Sequence, residues 1–260
     1  MDRAAVLAAY DEQVRQRPQP ATPDGRVERD GRVIRVVTEG DGWNGVIWCH
    51  LDEASADEAI AAEVARFAEG GREWEWKHYS YDRPPDLAER LLAAGLTPEP
   101  REALLVAELA GLSLEASPPP GVELRPVSAE EDVAALVRVV DEVFGEDHAA
   151  LGRMLLARLG REPAEVAAVV AFADGAPVAA GRVEFPREGD FAGLWGAGTV
   201  RPWRGRGVFR ALVAHRAALA AARGFRYLMV DASADSEPIL RRLGFAELAT
   251  TTPFIHPGGR

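Results

Sequence analysis

Residues 114–121, LEASPPPG, constrain the fold more than any other stretch. Proline lacks a backbone N–H and fixes φ at roughly −65°, so neither a helix nor a central strand runs through three of them. The chain must therefore be built from a part at 1–113, a linker at 114–121 and a part at 122–260.

The second part reads as alternating short elements. VELRPVS (122–128) predicts a strand. Ser128 and Glu131 make a capping-box pattern ahead of EDVAALVRVVDEVF, which has apolar residues at helical spacing. HAALGRMLLARLG (148–160) predicts a second helix. Residues 164–185 predict a hairpin around Asp174-Gly175. FAGLWGAGTV (191–200) is a glycine-rich strand, and 207–224 is a long helix closed by Gly224. A strand (225–233), a short helix opened by Pro238 and a last strand (245–255) follow. The order β-α-α-β-β-β-α-β-α-β predicts an α/β (α+β) domain.

The first part is a thinner version. A helix at 2–17 precedes a hairpin around Asp30-Gly31, a strand at 43–51 and a helix stopped by Gly70-Gly71. A strand at 73–82, a helix at 84–95 and a strand at 102–109 complete it. Residues 56–109 and 207–255 share one run of helix, glycine, strand, helix, glycine, strand, which reads as a degenerate internal repeat.

Charge separates the two parts. The whole chain carries −11 at pH 7. Residues 1–113 hold 13 Lys+Arg against 22 Asp+Glu, and residues 114–260 hold 17 against 19. Such an acidic chain is a poor general binder of nucleic acid, where phosphate contacts dominate affinity. No run of 18 apolar residues predicts a membrane span, and the start reads as no signal peptide. The single cysteine, Cys49, rules out an internal disulfide and a cysteine-based zinc site, and predicts a reduced, cytoplasmic setting.

Against this background TVRPWRGRGVFRAL (199–212) stands out. It places Arg201, Arg204, Arg206 and Arg210 around Gly205 and Gly207, between a strand and a helix start. A helix N-terminus offers unpaired N–H groups and positive dipole potential, and glycines let backbone approach a ligand closely. The stretch predicts a phosphate or pyrophosphate cradle. A Rossmann fingerprint fails because Arg210 stands at the third glycine, and a P-loop fails for want of G-K-[ST]. Locally, a solvated arginine-rich turn remains the other reading.

Arg204-Gly205-Arg206-Gly207-Val208-Phe209, led by Val200-Arg201-Pro202-Trp203, resembles motif A of the GCN5-related N-acetyltransferases, the GNAT superfamily. The segment order over 122–255 and the ending SEPILRRLGF resemble that family too, while 26–109 resembles only a worn copy. The resemblance implies the acyl-CoA N-acyltransferase fold, a mixed, largely antiparallel central sheet flanked by helices, here as two GNAT-like parts. Residues 1–113 would be a degenerate part without a cofactor loop, because Asp52, Glu53, Asp57 and Glu58 crowd the matching helix start.

Acetyl-CoA is the implied cosubstrate, held by Thr199, Val200, Arg204, Gly205, Arg206, Gly207, Val208, Phe209 and Ser233. Backbone N–H groups around Gly198-Thr199-Val200 would face the thioester carbonyl and its oxyanion. Glu184 is the preferred general base and Asp231 the second candidate, though each also reads as a solvated strand-end carboxylate. Two positions depart from the pattern. Phe209 replaces a small residue, and Leu240 stands where many members carry a tyrosine acid, which leaves the leaving thiolate's proton to Ser236 or solvent. His148 falls in the family's substrate-side loop, or is a solvated loop histidine. The implied activity is acetyl transfer to a primary amine of a small molecule or peptide. The acidic first part favours a cationic acceptor. Neither nucleic acid nor membrane is an expected partner, and the expected assembly is a monomer or homodimer. The competing expectation is a catalytically inactive acyl-CoA-binding module.

Overall fold

The computed structural model describes every residue except 23, 41, 115–116, 146, 162–163 and 258–260, and the Glu69 side chain. The linker expected at 114–121 lies partly outside those residues. Its prolines, 118–120, belong to no helix or strand. The chain divides into two compact units, one of Met1–Leu105, Asp231–Glu237 and Glu247–Arg260, and another of Val106–Val230 and Pro238–Ala246. The C-terminal residues 231–237 and 247–260 thus belong with the first unit rather than with the segment that precedes them.

The first unit opens with α1 (Arg3–Tyr10), capped by the Asp2 carboxylate on the Ala4 and Ala5 N–H groups, and a π-helical turn at Asp11–Arg15. β1 (Arg26–Arg29) and β2 (Val33–Val37) form the expected hairpin, with Gly31 at φ 92° in the turn. β3 (Gly45–Cys49) pairs antiparallel with β2 and parallel with β4 (Trp74–Tyr79), reached through α2 (Ala56–Gly70). α3 (Leu87–Ala93) follows, then β5 (Thr97–Pro98), a two-residue strand too short to leave a periodic signal, and β6 (Glu102–Glu108). Residues 251–256 of β12 (Ala246–His256) pair antiparallel with β4. Trp74 and Trp76 point one way from β4 into an apolar core with Val46, Ile60, Phe67, Leu87 and Leu91. The Phe67 and Trp74 rings stack at 4.6 Å. These tryptophans are core.

The second unit runs β7 (Val122–Pro126), α4 (Glu130–Phe144), α5 (Ala149–Arg158), β8 (Val166–Ala173), β9 (Ala176–Glu184), β10 (Phe191–Thr199), α6 (Val208–Ala222), β11 (Tyr227–Ala232) as far as Val230, and α7 (Glu237–Arg242) from Pro238 onward. β7 to β10 are antiparallel neighbours in order, and β11 joins β10 in parallel after the α6 crossover. The Asp174-Gly175 hairpin turn has φ 50° and 79°, the left-handed pair that a two-residue turn demands. One detail differs from expectation. α4 is capped by Asp132, whose carboxylate accepts from the Ser128 and Ala129 N–H groups at 2.9 and 3.0 Å, not by Glu131. Helix phase decides this: the helix begins at Glu130, which puts Asp132 at the third position. Among the described residues no helix is long and apolar enough to cross a membrane.

Candidate cofactor-binding site

β10 builds the site, because its two edges end differently. Against β11 the ladder runs only from Phe191↔Tyr227 to Gly193↔Met229, while β10 itself continues to Thr199. Against β9 it continues past a bulge between Trp195 and Gly198 to Thr199↔Ala179. Gly196 enters this bulge at φ 54°, and a Cβ there would lie 2.6 Å from the Arg182 Nη1. The Val200 N–H donates to the Val178 carbonyl at 3.0 Å, so it is not available to a ligand as the sequence suggested. Successive N–H groups alternate between strand edges, so the Thr199 N–H points to the edge that β11 leaves open. The Thr199 hydroxyl is buried without a hydrogen-bond partner among the described residues.

The chain then leaves β10 through a single 3-10 turn, Arg201–Trp203. Arg204 Nε donates to the Thr199 carbonyl at 3.0 Å and ties the loop back to the strand end. Gly205 and Gly207 take φ 74° and 88°, where an L side chain is strained. A Cβ at Gly205 would meet nothing within 4 Å, so backbone conformation and not crowding requires glycine, and the space outside it is open. α6 starts at Val208 and no side chain among the described residues caps it, which leaves its first N–H groups without an intrahelical or side-chain acceptor. Val208 and Leu212 anchor it in the apolar core. Arg201, Arg204, Arg206 and Arg210 stay exposed, with the Arg206 guanidinium 4.7 Å from the centre of the Trp203 ring. Phe209 is half-buried. Open space, converging N–H groups and fixed positive charge fit a diphosphate.

The other expected residues lie on other elements of the chain. Glu184, opposite Gly193, accepts from Arg182 Nε at 2.9 Å and pairs with Arg158 Nη1 at 3.2 Å. Asp231 belongs to the first unit and is ion-paired with Lys77. Ser233 and Ser236 also belong to the first unit. The Ser236 hydroxyl donates to the Ser233 carbonyl at 3.2 Å, and the two hydroxyls lie 3.3 Å apart. Leu240 is buried. His148 Nδ1 lies 3.0 Å from Asp141 Oδ1. A residue the sequence did not single out is Arg216 on α6, which is fully buried. It donates to the carbonyls of Leu212 and Arg182, and its Nη2 has no partner among the described residues. Burial, then the nearby Arg182 charge, lowers its pKa to about 9. A Cβ on Gly181 would lie 2.9 Å from Arg216 Nη1, which explains that glycine.

Residues 126–245 match the family model described as Acetyltransferase (GNAT) family. The chain carries a GNAT-family domain. Its glycine turn, α6 and the open end of β10 all lie inside the matched GNAT segment. The whole chain is similar to a GCN5-related N-acetyltransferase from Kribbella flavida, at 22% identity, 99% coverage of this chain and 96% of that one, and a TM-score of 0.71. It is also similar to a tandem GNAT protein from the clavulanic acid biosynthesis pathway, at 14% identity, 92% and 85% coverage and a TM-score of 0.61. A GCN5-related N-acetyltransferase from Sphaerobacter thermophilus gives 16% identity, 88% and 82% coverage and a TM-score of 0.61. Identities this low speak for the fold, which is that of the acyl-CoA N-acyltransferases, a mixed, mainly antiparallel sheet with helices, in two GNAT-like parts. No curated protein matches the sequence.

Proposed function

We propose that the chain is an N-acetyltransferase that moves an acetyl group from acetyl-CoA to a primary amine of a small-molecule or peptide acceptor. The observation that carries this is the turn at 204–208, with two left-handed glycines opening an uncapped helix N-terminus under open space. The N–H groups from Gly205 to Phe209 and the guanidiniums of Arg204 and Arg206 would hold the CoA diphosphate. The Thr199 N–H, pointing to the open edge of β10, would serve a carbonyl oxygen better than Val200. When bound, the thioester supplies an activated acetyl group. The acceptor amine must be neutral to attack. Both Glu184 oxygens already accept from guanidiniums, which favours ordered solvent as the first proton acceptor. The acidic N-terminal part, without a cofactor loop, fits a cationic acceptor.

A second reading, an acyl-CoA-binding module without catalysis, draws on the same arginine-locked Glu184 and on the buried, apolar Leu240. Titration of acetyl-CoA into the protein and into a Gly205→Asp/Gly207→Asp variant tests the cradle, with binding expected only in the former. Amine-dependent release of free thiol then separates enzyme from module. Equal binding by both proteins refutes the cofactor assignment.

A further inference from the structure

Lys77, the one lysine in the sequence, is nearly buried in the first unit. With Trp74 and Trp76 turned into the core, Glu75, Lys77 and Tyr79 leave β4 on the opposite face. There Lys77 Nζ donates to Asp231 Oδ2 from β11. The Tyr79 hydroxyl meets that of Tyr10, from α1, at 2.9 Å. Glu75 accepts from Trp43 Nε1 at 2.6 Å. Glu102, on β6, lies within the field of Asp231, Lys77 and Glu75.

Charge and hydrogen bonding each leave this cluster short of a donor. Three carboxylates face one ammonium. The Asp231 side chain is only 5% exposed, yet its Oδ1 has no hydrogen-bond partner among the described residues. A buried acceptor left in that state costs more than a made hydrogen bond gains. Thr251, opposite Tyr79 on β12, likewise buries a hydroxyl without a partner among the described residues. Burial and the Asp231 charge push Glu102 up to about 7 against the pull of Lys77, and burial also raises Glu75. The face is not sealed, since Glu75, Lys77 and Glu102 are all partly exposed. The Lys77 ammonium shows which partner these carboxylates accept: an N–H donor carrying positive charge.

We propose that Asp231 and Glu102 form a recognition site for a protonated primary amine, with Asp231 Oδ1 accepting an ammonium N–H and Glu102 supplying the second negative charge. This rests on the acetyltransferase reading only in identifying that amine with the acceptor. An ammonium in the site favours ionised Glu102, so amine affinity rises as pH passes upward through about 7. Asp231, Lys77 and Glu75 are the charged groups that act on it, Tyr10 and Tyr79 act on Asp231, and burial raises the Glu75 carboxyl as well.

The test uses the full chain labelled with carboxyl-13C glutamate, titrated with acid and base, with n-butylammonium chloride or n-butanol as probe. The Glu102 resonance is assigned by its loss in Glu102→Gln. Butylammonium should draw the Glu102 midpoint down toward the ordinary carboxylate range, and butanol should leave it in place. Glu102→Gln should weaken butylammonium binding by about tenfold, the share of a charge-assisted contact. Glu188→Gln, an exposed change elsewhere, should not. A midpoint unmoved by the amine, an equal response to butanol or an equal weakening by Glu188→Gln overturns the proposal. If Glu102→Gln does not fold, Glu102→Asp assigns the resonance and the wild-type midpoint still decides. Acetyl-CoA titration of the same samples reports separately on the cofactor turn, so either reading can fail alone.

Discussion

Glu184→Gln separates a structural carboxylate from a catalytic base. Glu184 lies between Arg182 and Arg158, and the Arg158 side chain is only 6% exposed. Without the carboxylate, Arg158 keeps the Glu165 carbonyl at 3.3 Å and loses its ion-pair partner, while its Nε already lacks a hydrogen-bond partner among the described residues. Breaking a buried ion pair costs about 3–5 kcal/mol. Glutamine retains one acceptor oxygen and the site is partly open, which brings the expectation to about 2–3 kcal/mol. At about 2–4 °C per kcal/mol for a chain of this size, Tm should fall by roughly 4–12 °C. A general base would behave in the opposite way, losing about 10²–10⁴ in rate. Thermal unfolding and thiol release with a fixed amine should be measured on the same preparation. The expected result is a clear drop in Tm, turnover within several-fold and an unmoved pH profile. A loss in rate beyond a hundredfold with Tm unchanged would refute the structural assignment.

Gly207→Ala should cost about 1–2 kcal/mol although the nearest atom to the new Cβ, Pro119 Cγ, is 4.0 Å away, because the penalty lies in the backbone at φ 88°; denaturant unfolding checks it. Arg216→Met should leave Tm unchanged or higher, since it removes a buried charge held by carbonyls alone, and a fall of several degrees would show that the bonds to Leu212 and Arg182 outweigh that charge. Glu102 binds its proton more tightly in the folded chain, so its contribution to stability is full below the unfolded pKa near 4.5 and lost as pH rises through about 7. Glu102→Gln should therefore flatten the decline in stability between those values, by at most about 3 kcal/mol, as read from denaturant midpoints across that range.

The fold was legible because its punctuation is local. Asp30-Gly31, Asp174-Gly175, Gly71 and Gly224 mark turns and helix ends through backbone rules that need no tertiary knowledge, and the structure puts turns or caps at each. Strand pairing is a different kind of information. Whether Thr199 or Val200 turns its N–H to the open edge depends on the register with Val178, which no periodicity reveals. The environment of Glu184 was hidden for the same reason, because Arg158 reaches it from 26 residues away in sequence. Lys77 and Asp231 are 154 residues apart, and only the return of residues 231–237 to the first unit joins them.

The internal repeat is visible in topology: β3-α2-β4 and β10-α6-β11 are both parallel pairs joined by a crossover helix of 15 residues. The two helix starts differ in what their N–H groups face. At α6 two left-handed glycines and exposed arginines leave them open to an anion. At α2 no side chain caps the helix either, but the Asp52 carboxylate sits in the turn before it, accepting from the Ala54 and Ser55 N–H groups at 3.1 and 2.9 Å, and Asp57 and Glu58 occupy the first turn. A diphosphate arriving there would meet the Asp52 carboxylate ahead of the helix and two more negative charges in its first turn, each repelling it by about 1 kcal/mol even in water at contact distance. Acetyl-CoA should therefore bind with a stoichiometry of one per chain by calorimetry. Gly205→Asp/Gly207→Asp should abolish that single event and uncover no second one. Two equivalents per wild-type chain, or one surviving in the variant, would mean that the acidic helix start also accepts the cofactor and that carboxylates at a helix N-terminus do not exclude it.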